Sequence, residues 1–315
     1  MKYCVLAYYN FTPLEDPAHD VVRHKKFFLT RDIRSRIYIS HEGINGQMSA
    51  SLQAAEEYME WMRNDPRFKD TEFKIHSWHE HCFPRQTVKL KTQLVALDYP
   101  ADLSQTGTHL SPEEWKNMLA SKDEETILID VRNQYEWDIG HFEGAELPQL
   151  NTFREFPDYV DALKETKDPK KTKVMMYCTG GIRCELYSAL MKAKGFDEVY
   201  QLQGGIIKYG MEEGVDHWRG KLFVFDDRLS VPISENHPEE IISHCHTCHA
   251  LSDMYFNCAN MDCNNLFLAC HACAEKEKGC CSKTCTLAPR VRAFIPQERP
   301  KPFQRLAELS QEHSS

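Results

Sequence analysis

The spacing of apolar residues along the first third of the chain predicts a small α+β module. Residues 17–30 and 51–63 have helical character, and Ser51 is placed to cap the second helix. Apolar and aromatic residues predict strands in the segments YCVLAYYNF, RIYIS, HEGINGQMSAS, FKIHSW and VKLKTQLVALD. A hairpin turn is expected at Gly43 and Gly46 in the third of these segments. The order β-α-β-β-α-β predicts a ferredoxin-like arrangement.

The middle of the chain alternates strands and helices. LSPEEWKNMLA predicts a helix with Ser111 as its N-cap and Pro112 at its first position. TILIDVR and KVMMYC are short apolar runs typical of buried parallel strands, and ELYSALMKAKGF between KVMMYC and VYQL predicts another helix. The alternation indicates an α/β domain with a mainly parallel sheet, which follows a linker at Tyr99-Pro100 and ADLSQTGTH.

Cysteine dominates the rest of the chain, which lacks a regular pattern and ends in QRLAELSQEHSS, a frayed helix or disordered tail. Of 13 cysteines, nine fall between Cys245 and Cys285. An odd count without an export signal favours metal binding or redox chemistry over a secreted disulfide framework. We therefore predict three domains: a ferredoxin-like (acylphosphatase-like) module at 1–100, an α/β domain at 101–225 and a Cys/His-rich irregular segment at 226–315.

Two Cys-x-x-Cys pairs in this segment have the spacing of a structural zinc site. The predicted ligands are Cys245, Cys248, Cys270 and Cys273. A second site could draw on Cys258, Cys263, Cys280 or Cys285. Disulfides, some of them redox-active, remain an alternative.

Composition adds limits on location and partners. Apolar residues make up 42 % of the chain and charged residues 27 %, and no apolar run is long enough to span a membrane. The start, MKYCVLAYYNF, has neither the basic residues nor the cleavage site of a signal peptide, so we expect a cytoplasmic protein without a membrane partner. The net charge is −9, so a nucleic acid must meet local basic patches.

YCTGGIRCE is the stretch with clear catalytic chemistry. Cys178 follows a predicted strand and precedes a predicted helix, whose first amides would stabilise a thiolate. Gly180 and Gly181 allow the loop of Thr179 to Ile182 to curl around the sulfur, and Arg183 adds a fixed positive charge. The stretch therefore predicts an anionic sulfur, or an anion bound beside it. A buried structural cysteine before an ordinary helix is the alternative.

Two details of this loop leave alternatives open. Cys184 could be a resolving thiol for Cys178 or a small residue at the start of a helix. Phosphatase activity is disfavoured, because only four residues separate Cys178 from Arg183 and the amide ring is too tight for phosphate.

Residues 108–212 resemble a rhodanese domain, through IDVRNQYEWDIGHFEGA and the loop YCTGGIRC. The resemblance implies that Cys178 is a nucleophile that forms a persulfide. It also implies structural roles, in orienting the loop and its neighbours, for Asp130, Arg132, His141 and Glu143.

Three motifs in order resemble the bacterial tRNA uridine hydroxylase family: HEGINGQMSA, CTGGIRCE, and the segment NCANMDCNNLFLAC…GCCS. The resemblance implies oxygen-dependent 5-hydroxylation of the wobble uridine, position 34, in the tRNA anticodon loop. A sulfurtransferase that carries sulfane sulfur on Cys178, from thiosulfate or for tRNA thiolation, is the alternative. An inert scaffold is disfavoured because the nucleophile is present.

Residues for substrate and cofactor binding are less marked. No flavin, nicotinamide or haem motif is found. The resemblance implies dioxygen as a co-substrate, and the Cys-x-x-Cys spacing suggests structural zinc. Arg85, Lys89 and Lys91 form a modest basic stripe that either contacts RNA or is a solvated strand edge. EGINGQ could present a turn to RNA. The sequence does not indicate an oligomeric state.

Overall fold

Three regions follow one another along the computed structural model, which describes residues 3–97, 99–150, 153–237, 240–297 and 300. An α+β module, an α/β domain with a parallel sheet and a Cys-rich segment with little regular structure confirm the predicted fold class. The predicted tail QRLAELSQEHSS lies outside the described residues. Among the helices of the described ranges, none has the length and apolar content needed to cross a membrane.

The first module is a five-stranded sheet with two helices. Its elements are β1 (Tyr3–Phe11), α1 (Pro17–Phe28), β2 (Ile33–Ser40), β3 (Gly43–Ser51), α2 (Leu52–Arg63), β4 (Lys74–Trp78) and β5 (Gln86–Leu90). The strand order is β4-β1-β3-β2-β5, and only the pair β2–β5 is parallel. The first four strands have the ferredoxin-like order, and β5 adds an edge. Ser51 caps α2 as predicted, by accepting a hydrogen bond from the amide of Ala54.

The two faces of this sheet differ in character. One face packs against α1 and α2 and carries the core residues Leu6, Ile37, Ile44 and Met48. The side chains that alternate with these residues point to the opposite face, which no helix of the module covers. This uncovered face bears polar and aromatic residues.

Gly46 is not the turn residue that the sequence suggested. The chain reverses before Gly43, and Gly46 lies inside β3, the middle strand of the sheet. A Cβ atom at Gly46 would lie 2.2 Å from the ring of Tyr8, whose hydroxyl group hydrogen-bonds to that of Tyr58. The glycine is required because an aromatic ring fills its side-chain space, a cause that a turn-based interpretation misses.

The second region is a four-stranded parallel sheet with the order β6-β10-β9-β7. Its elements are β6 (Thr108–Leu110), α3 (Pro112–Ala120), β7 (Thr126–Asp130), α4 (Gln134–Trp137), β8 (Gly140–Phe142), α5 (Phe156–Thr166), β9 (Lys173–Tyr177), α6 (Ile182–Ala193), β10 (Glu198–Leu202) and α7 (Gly205–Glu212). Ser111 caps α3 as predicted. The prediction of a linker was partly wrong, because the proposed stretch overlaps β6, which pairs with β10.

The last region consists of short elements. They are β11 (Trp218–Gly220), β12 (Leu222–Phe223), β13 (Ser230–Val231), β14 (Tyr255–Asn257), β15 (Leu266–Leu268), α8 (His271–Lys276) and α9 (Lys283–Thr286). A small apolar cluster joins this region to the α/β domain through Ile139, Phe223, Tyr255 and Leu268. The Tyr255 hydroxyl group also donates a hydrogen bond to the carbonyl oxygen of Tyr135 in α4.

We expect Gly46→Ala to lower the free energy of unfolding by about 1–3 kcal/mol, because the added methyl group must displace the ring of Tyr8. Gly180→Ala is the matched control, since nothing lies within 4 Å of its added Cβ atom. The control should stay within about 0.5 kcal/mol of the parent chain. Urea denaturation measures both, and equal stabilities for the two variants would contradict this account of Gly46.

Candidate active site

Cys178 lies between a buried strand and a helix, where the sequence placed it. β9 ends at Tyr177, α6 begins at Ile182, and the side chain of Cys178 has no exposed surface. Gly181 has a φ of +102°, a conformation that favours glycine. This conformation directs the Gly181 amide to the sulfur, and the distance from N to Sγ is 3.1 Å. The loop therefore closes on the sulfur.

The surroundings of the sulfur favour its anionic form. Burial by itself would raise the pKa of Cys178, but the neighbouring Cys184 thiol, the charge of Arg183 and the amides of residues 183 and 184 lower this pKa to about 5. Burial raises the pKa of Cys184 well above its usual range, so Cys184 stays a protonated thiol beside the anion. Cys178 is therefore a thiolate at neutral pH.

Arg183 does not point freely into solvent. Its guanidinium group pairs with the carboxylate of Glu136 at 2.6 and 2.7 Å, and both side chains are buried. Thr179 donates to the same carboxylate at 3.1 Å. Burial would raise the pKa of Glu136, but the Arg183 charge holds it below its usual value. The ion pair fixes the position of the positive charge relative to the thiolate.

A second glycine pair supports the loop from behind. Gly204 and Gly205 both have positive φ, and a Cβ atom on Gly205 would lie 2.6 Å from the carbonyl oxygen of Cys178. The first amides of α7 donate to loop carbonyls, from Ile206 to Cys178 at 3.0 Å and from Ile207 to Thr179 at 3.1 Å. These contacts hold the loop backbone in place.

The residues that resemblance marked as structural lie around this loop. Asp130 and Arg132 form a fully buried ion pair at 2.6 Å, and Arg132 also donates to the carbonyl oxygens of Glu136 and Gly140. These contacts connect β7 to the helix that carries Glu136 and to the start of β8.

His141 and Glu143 lie farther from the sulfur. The Nδ1 atom of His141 is 2.9 Å from the carbonyl oxygen of Trp137, and the carboxylate of Glu143 is 3.9 Å from Arg219 at the surface. Neither residue lines the cavity described below.

The uncovered face of the first module lies over the loop. The Lys74 ammonium group donates to the carbonyl oxygen of Gly180 at 3.0 Å, and the Tyr9 hydroxyl group donates to Glu185 at 2.8 Å. A Cβ atom on Gly181 would lie 2.9 Å from that hydroxyl group. Burial lowers the pKa of Lys74. The first module therefore forms one wall of the site.

A cavity of about 340 Å³ remains between this wall and the thiol loop, a size typical of ligand pockets. From the first module it is lined by Tyr9, Arg36, Tyr38, Asn45, Gln47 and Lys74. From the α/β domain it is lined by Cys178, Thr179, Gly180, Ile182 and Arg183, and Phe225 closes one side. Apart from the Cys178 thiolate, the charged groups that line it among the described residues are the cations Arg36, Lys74 and Arg183. The cavity suits a flat, electron-rich ligand placed against the sulfur.

The predicted basic stripe lies on the same face of the sheet. Arg85, Lys89 and Lys91 are exposed along the edge strand β5 and its ends. Lys89 pairs in register with Tyr38, and the Lys91 ammonium group lies 5.0 Å from the centre of the Tyr38 ring. The stripe therefore continues the cationic lining of the cavity outward.

The cysteines of the last region form two groups of four that could each hold a metal ion. The first is the set predicted from the Cys-x-x-Cys pairs, Cys245, Cys248, Cys270 and Cys273. The second is Cys258, Cys263, Cys281 and Cys285, so Cys281 takes the place suggested for Cys280. Within each group all Sγ atoms lie within 4.8 Å of one another, and the shorter separations are 3.7 and 3.8 Å.

Several residues of the site were not found from the sequence. Glu136 could have been noticed as the third helical residue of a capping box with Asn133, a local signal. Lys74 carries no motif of its own and reaches the site only because one domain packs on another. Asn45 and Gln47 belong to EGINGQ, which the sequence suggested as a turn toward RNA, but the structure places their side chains on a strand in the cavity wall.

The fold and the site define a rhodanese-like domain that carries an activated cysteine and is flanked by two further modules. Family models agree: "UPF0176 acylphosphatase like domain" matches residues 3–94, "Rhodanese-like domain" matches 111–212, and "Rhodanase C-terminal" matches 219–286. A protein of Protochlamydia amoebophila named tRNA uridine(34) hydroxylase is 56% identical over 304 residues, 96% of this chain and 94% of its own length. A protein of Chlamydia felis with the same name is 52% identical over 314 residues, 99% of this chain and 96% of its own. The chain belongs to this tRNA uridine(34) hydroxylase family.

We expect alkylation of Cys178 by iodoacetamide to proceed at a nearly constant rate from about pH 6.5 to 8 and to slow as the pH falls through 5. The rate falls at low pH because only the thiolate reacts, and the Cys178 thiol loses its proton above about pH 5. Cys184→Ala should raise the pKa of Cys178 and move this midpoint upward, whereas Cys184→Ser keeps a donor and should move it less. Peptide mass spectrometry follows this one thiol, and a midpoint near the ordinary thiol value of about 8.5 would contradict the account.

Proposed function

We propose that this chain is an oxidoreductase that hydroxylates carbon 5 of uridine 34 in tRNA, with Cys178 as its catalytic nucleophile. Relatives at more than half identity over nearly the whole chain carry the name of that activity. The observation that carries the role of Cys178 is its thiolate character at the wall of a cavity that is also lined by cations. No other thiol in the described part of the chain lines that cavity.

The chemistry of uracil explains the need for a thiolate. Carbon 6 of the ring is electrophilic, and addition of the Cys178 sulfur there moves the electron pair of the double bond to carbon 5 and O4. The enolate formed attacks dioxygen through carbon 5. Loss of the carbon 5 proton and of the thiolate then restores the ring. Cleavage of the O–O bond, with two electrons from a thiol reductant and two protons, leaves one oxygen on carbon 5 and releases the other as water.

Arg183 and the loop amides act on the sulfur in this scheme. They stabilise the thiolate before addition and after its release, so Arg183 is a positioning residue. The Lys74 ammonium group and the Arg36 guanidinium group, on the opposite wall, are suited to stabilise the negative charge that develops on O4.

We infer that the anticodon loop binds across the uncovered face of the first module. Single-stranded RNA is bound by aromatic rings that stack on bases and by cations that contact phosphates. Tyr9, Tyr38 and Phe225 line the cavity, and Arg85, Lys89 and Lys91 extend from it along β5. The base of uridine 34 turns out of the loop to enter the cavity, as bases do in other enzymes that modify them.

Cys178→Ala should abolish 5-hydroxyuridine in tRNA. The measurement is nucleoside mass spectrometry on tRNA from a deletion strain complemented with the parent chain or with the variant. Cys82→Ala is the control, because Cys82 is a buried thiol of the first module that lies outside the cavity. Full hydroxylation by Cys178→Ala would disprove the role of the thiol. Unchanged 5-hydroxyuridine with loss of a thiolated nucleoside in the deletion strain would instead identify a sulfurtransferase that carries a Cys178 persulfide.

We further propose that each cysteine group holds one structural zinc ion. Four thiolates bound tetrahedrally at about 2.3 Å from zinc lie about 3.8 Å apart, close to the separations of 3.7 and 3.8 Å observed here. These distances exceed the sulfur–sulfur bond length of about 2.05 Å in a disulfide. The zinc ions would add to the small apolar cluster of this segment, which includes Phe256, Phe267 and Ala269.

Metal analysis of the purified protein should find one zinc ion for each group. Cys248→Ser with Cys270→Ser should remove one zinc ion and leave the other, because each group draws its ligands from its own four cysteines. Cys280→Ala is the control, since this buried thiol belongs to neither group and its loss should leave both ions. Loss of zinc on Cys280→Ala, or zinc-free parent protein with paired cysteines, would contradict the proposal.

A further inference from the structure

Two side-chain amides in the cavity wall have no hydrogen-bond partner within the described part of the chain. Asn45 and Gln47 both lie on β3, both line the cavity and both are partly exposed. Neither carboxamide forms a hydrogen bond with another side chain or with the backbone of the described residues. Polar groups in a binding pocket that the protein leaves unpaired are available to a ligand.

The strand that carries them is held rigidly. β3 is the middle strand of the sheet and is paired with β1 on one side and β2 on the other. Gly46, between the two amides, is covered on the core face by the ring of Tyr8. The two carboxamides therefore have fixed backbone positions two residues apart on the face that meets the thiol loop.

Their neighbours favour a pyrimidine ring with carbonyl groups. Asn45 lies in register between Tyr9 and Tyr38, whose rings can stack on a base. Gln47 lies in register beside Arg36. Lys74 also lines this wall, and both of these cations can only donate hydrogen bonds.

The hydrogen-bonding edge of uracil matches this set. Uracil presents one donor, N3–H, between two acceptors, O2 and O4, and a carboxamide can accept from N3–H and donate to O4. A free carboxamide could turn over to pair with cytosine. Beside Arg36 and Lys74, however, the amino group of cytosine would face other hydrogen-bond donors. The O4 atom of uracil can instead accept hydrogen bonds from these two cations.

We propose that the carboxamides of Asn45 and Gln47 bind the N3–H and O4 edge of the uracil ring and thereby select uridine at the reacting position. This inference rests on the proposed function, since it concerns the base that faces Cys178. It assigns the segment GINGQ to substrate recognition through side chains of a strand, with Gly46 as the packing residue between them.

The test compares the affinity of the full chain for three anticodon stem-loop RNAs that differ only at position 34. The position carries uridine, cytidine or N3-methyluridine, and binding is measured without oxygen so that no turnover occurs. The parent chain should bind the uridine RNA roughly tenfold more tightly than either of the others. Asn45→Leu combined with Gln47→Met keeps side-chain volume and removes the hydrogen bonds, so both ratios should fall toward one.

Two control variants separate base recognition from other effects. Gln53→Met replaces an exposed amide of α2, outside the cavity, and should leave both ratios at their parent values. Lys89→Gln should weaken binding of all three RNAs alike, as a phosphate contact does. If the double variant does not fold, Gln47→Glu and Asn45→Asp test the bond to O4 alone, because a carboxylate still accepts from N3–H but cannot donate to O4. In these variants the ratio of uridine to cytidine RNA is the one that should fall toward one.

Parent-like ratios in the folded variants, or a parent chain that binds the three RNAs equally, would overturn the inference. Either result would leave the proposed function standing if Cys178→Ala still abolished 5-hydroxyuridine. Loss of discrimination in the variants, together with full hydroxylation by Cys178→Ala, would disprove the catalytic role of the thiol and keep the uracil-binding site.

Discussion

A thiolate with no exposed surface must be stabilised by the protein alone, and the rest of the site follows from this constraint. Burial disfavours the anion of Cys178, so the Cys184 thiol, the charge of Arg183 and the loop amides must offset that cost. Arg183 is itself buried and needs the carboxylate of Glu136. The reactive sulfur therefore depends on a series of buried charges, from Arg183 to Glu136 in the short helix α4.

The same constraint explains why the first module packs against the loop. A bare rhodanese-like loop would be open to water, which would compete for the thiolate and for any enolate formed beside it. Lys74 and Tyr9 attach the sheet to the loop, and the cavity between them is lined by cations and aromatic rings. The sheet thus covers part of the loop and supplies binding groups at once.

Local signals in the sequence predicted much of this structure. The strand-loop-helix around Cys178, the capped helices and the ferredoxin-like order follow from patterns within a few residues of one another. The first cysteine group was predicted because its members come in Cys-x-x-Cys pairs, whereas Cys281 was missed because Cys280 precedes it directly. Lys74 could not be predicted, because packing between domains and not a local pattern brings it to the loop around the sulfur.

The Cys-rich segment takes part in this arrangement through α4. A helix of four residues is too short to be stable by itself, yet Glu136 must be held against Arg183 within hydrogen-bonding distance. Tyr255 donates a hydrogen bond to the carbonyl oxygen of Tyr135, and the rings of Phe223 and Tyr255 pack beside α4. Since Tyr255 belongs to the segment that holds the two cysteine groups, metal binding there would stabilise the surface on which α4 rests. The position of the thiolate's counter-charge is thus linked to the folding of the last region.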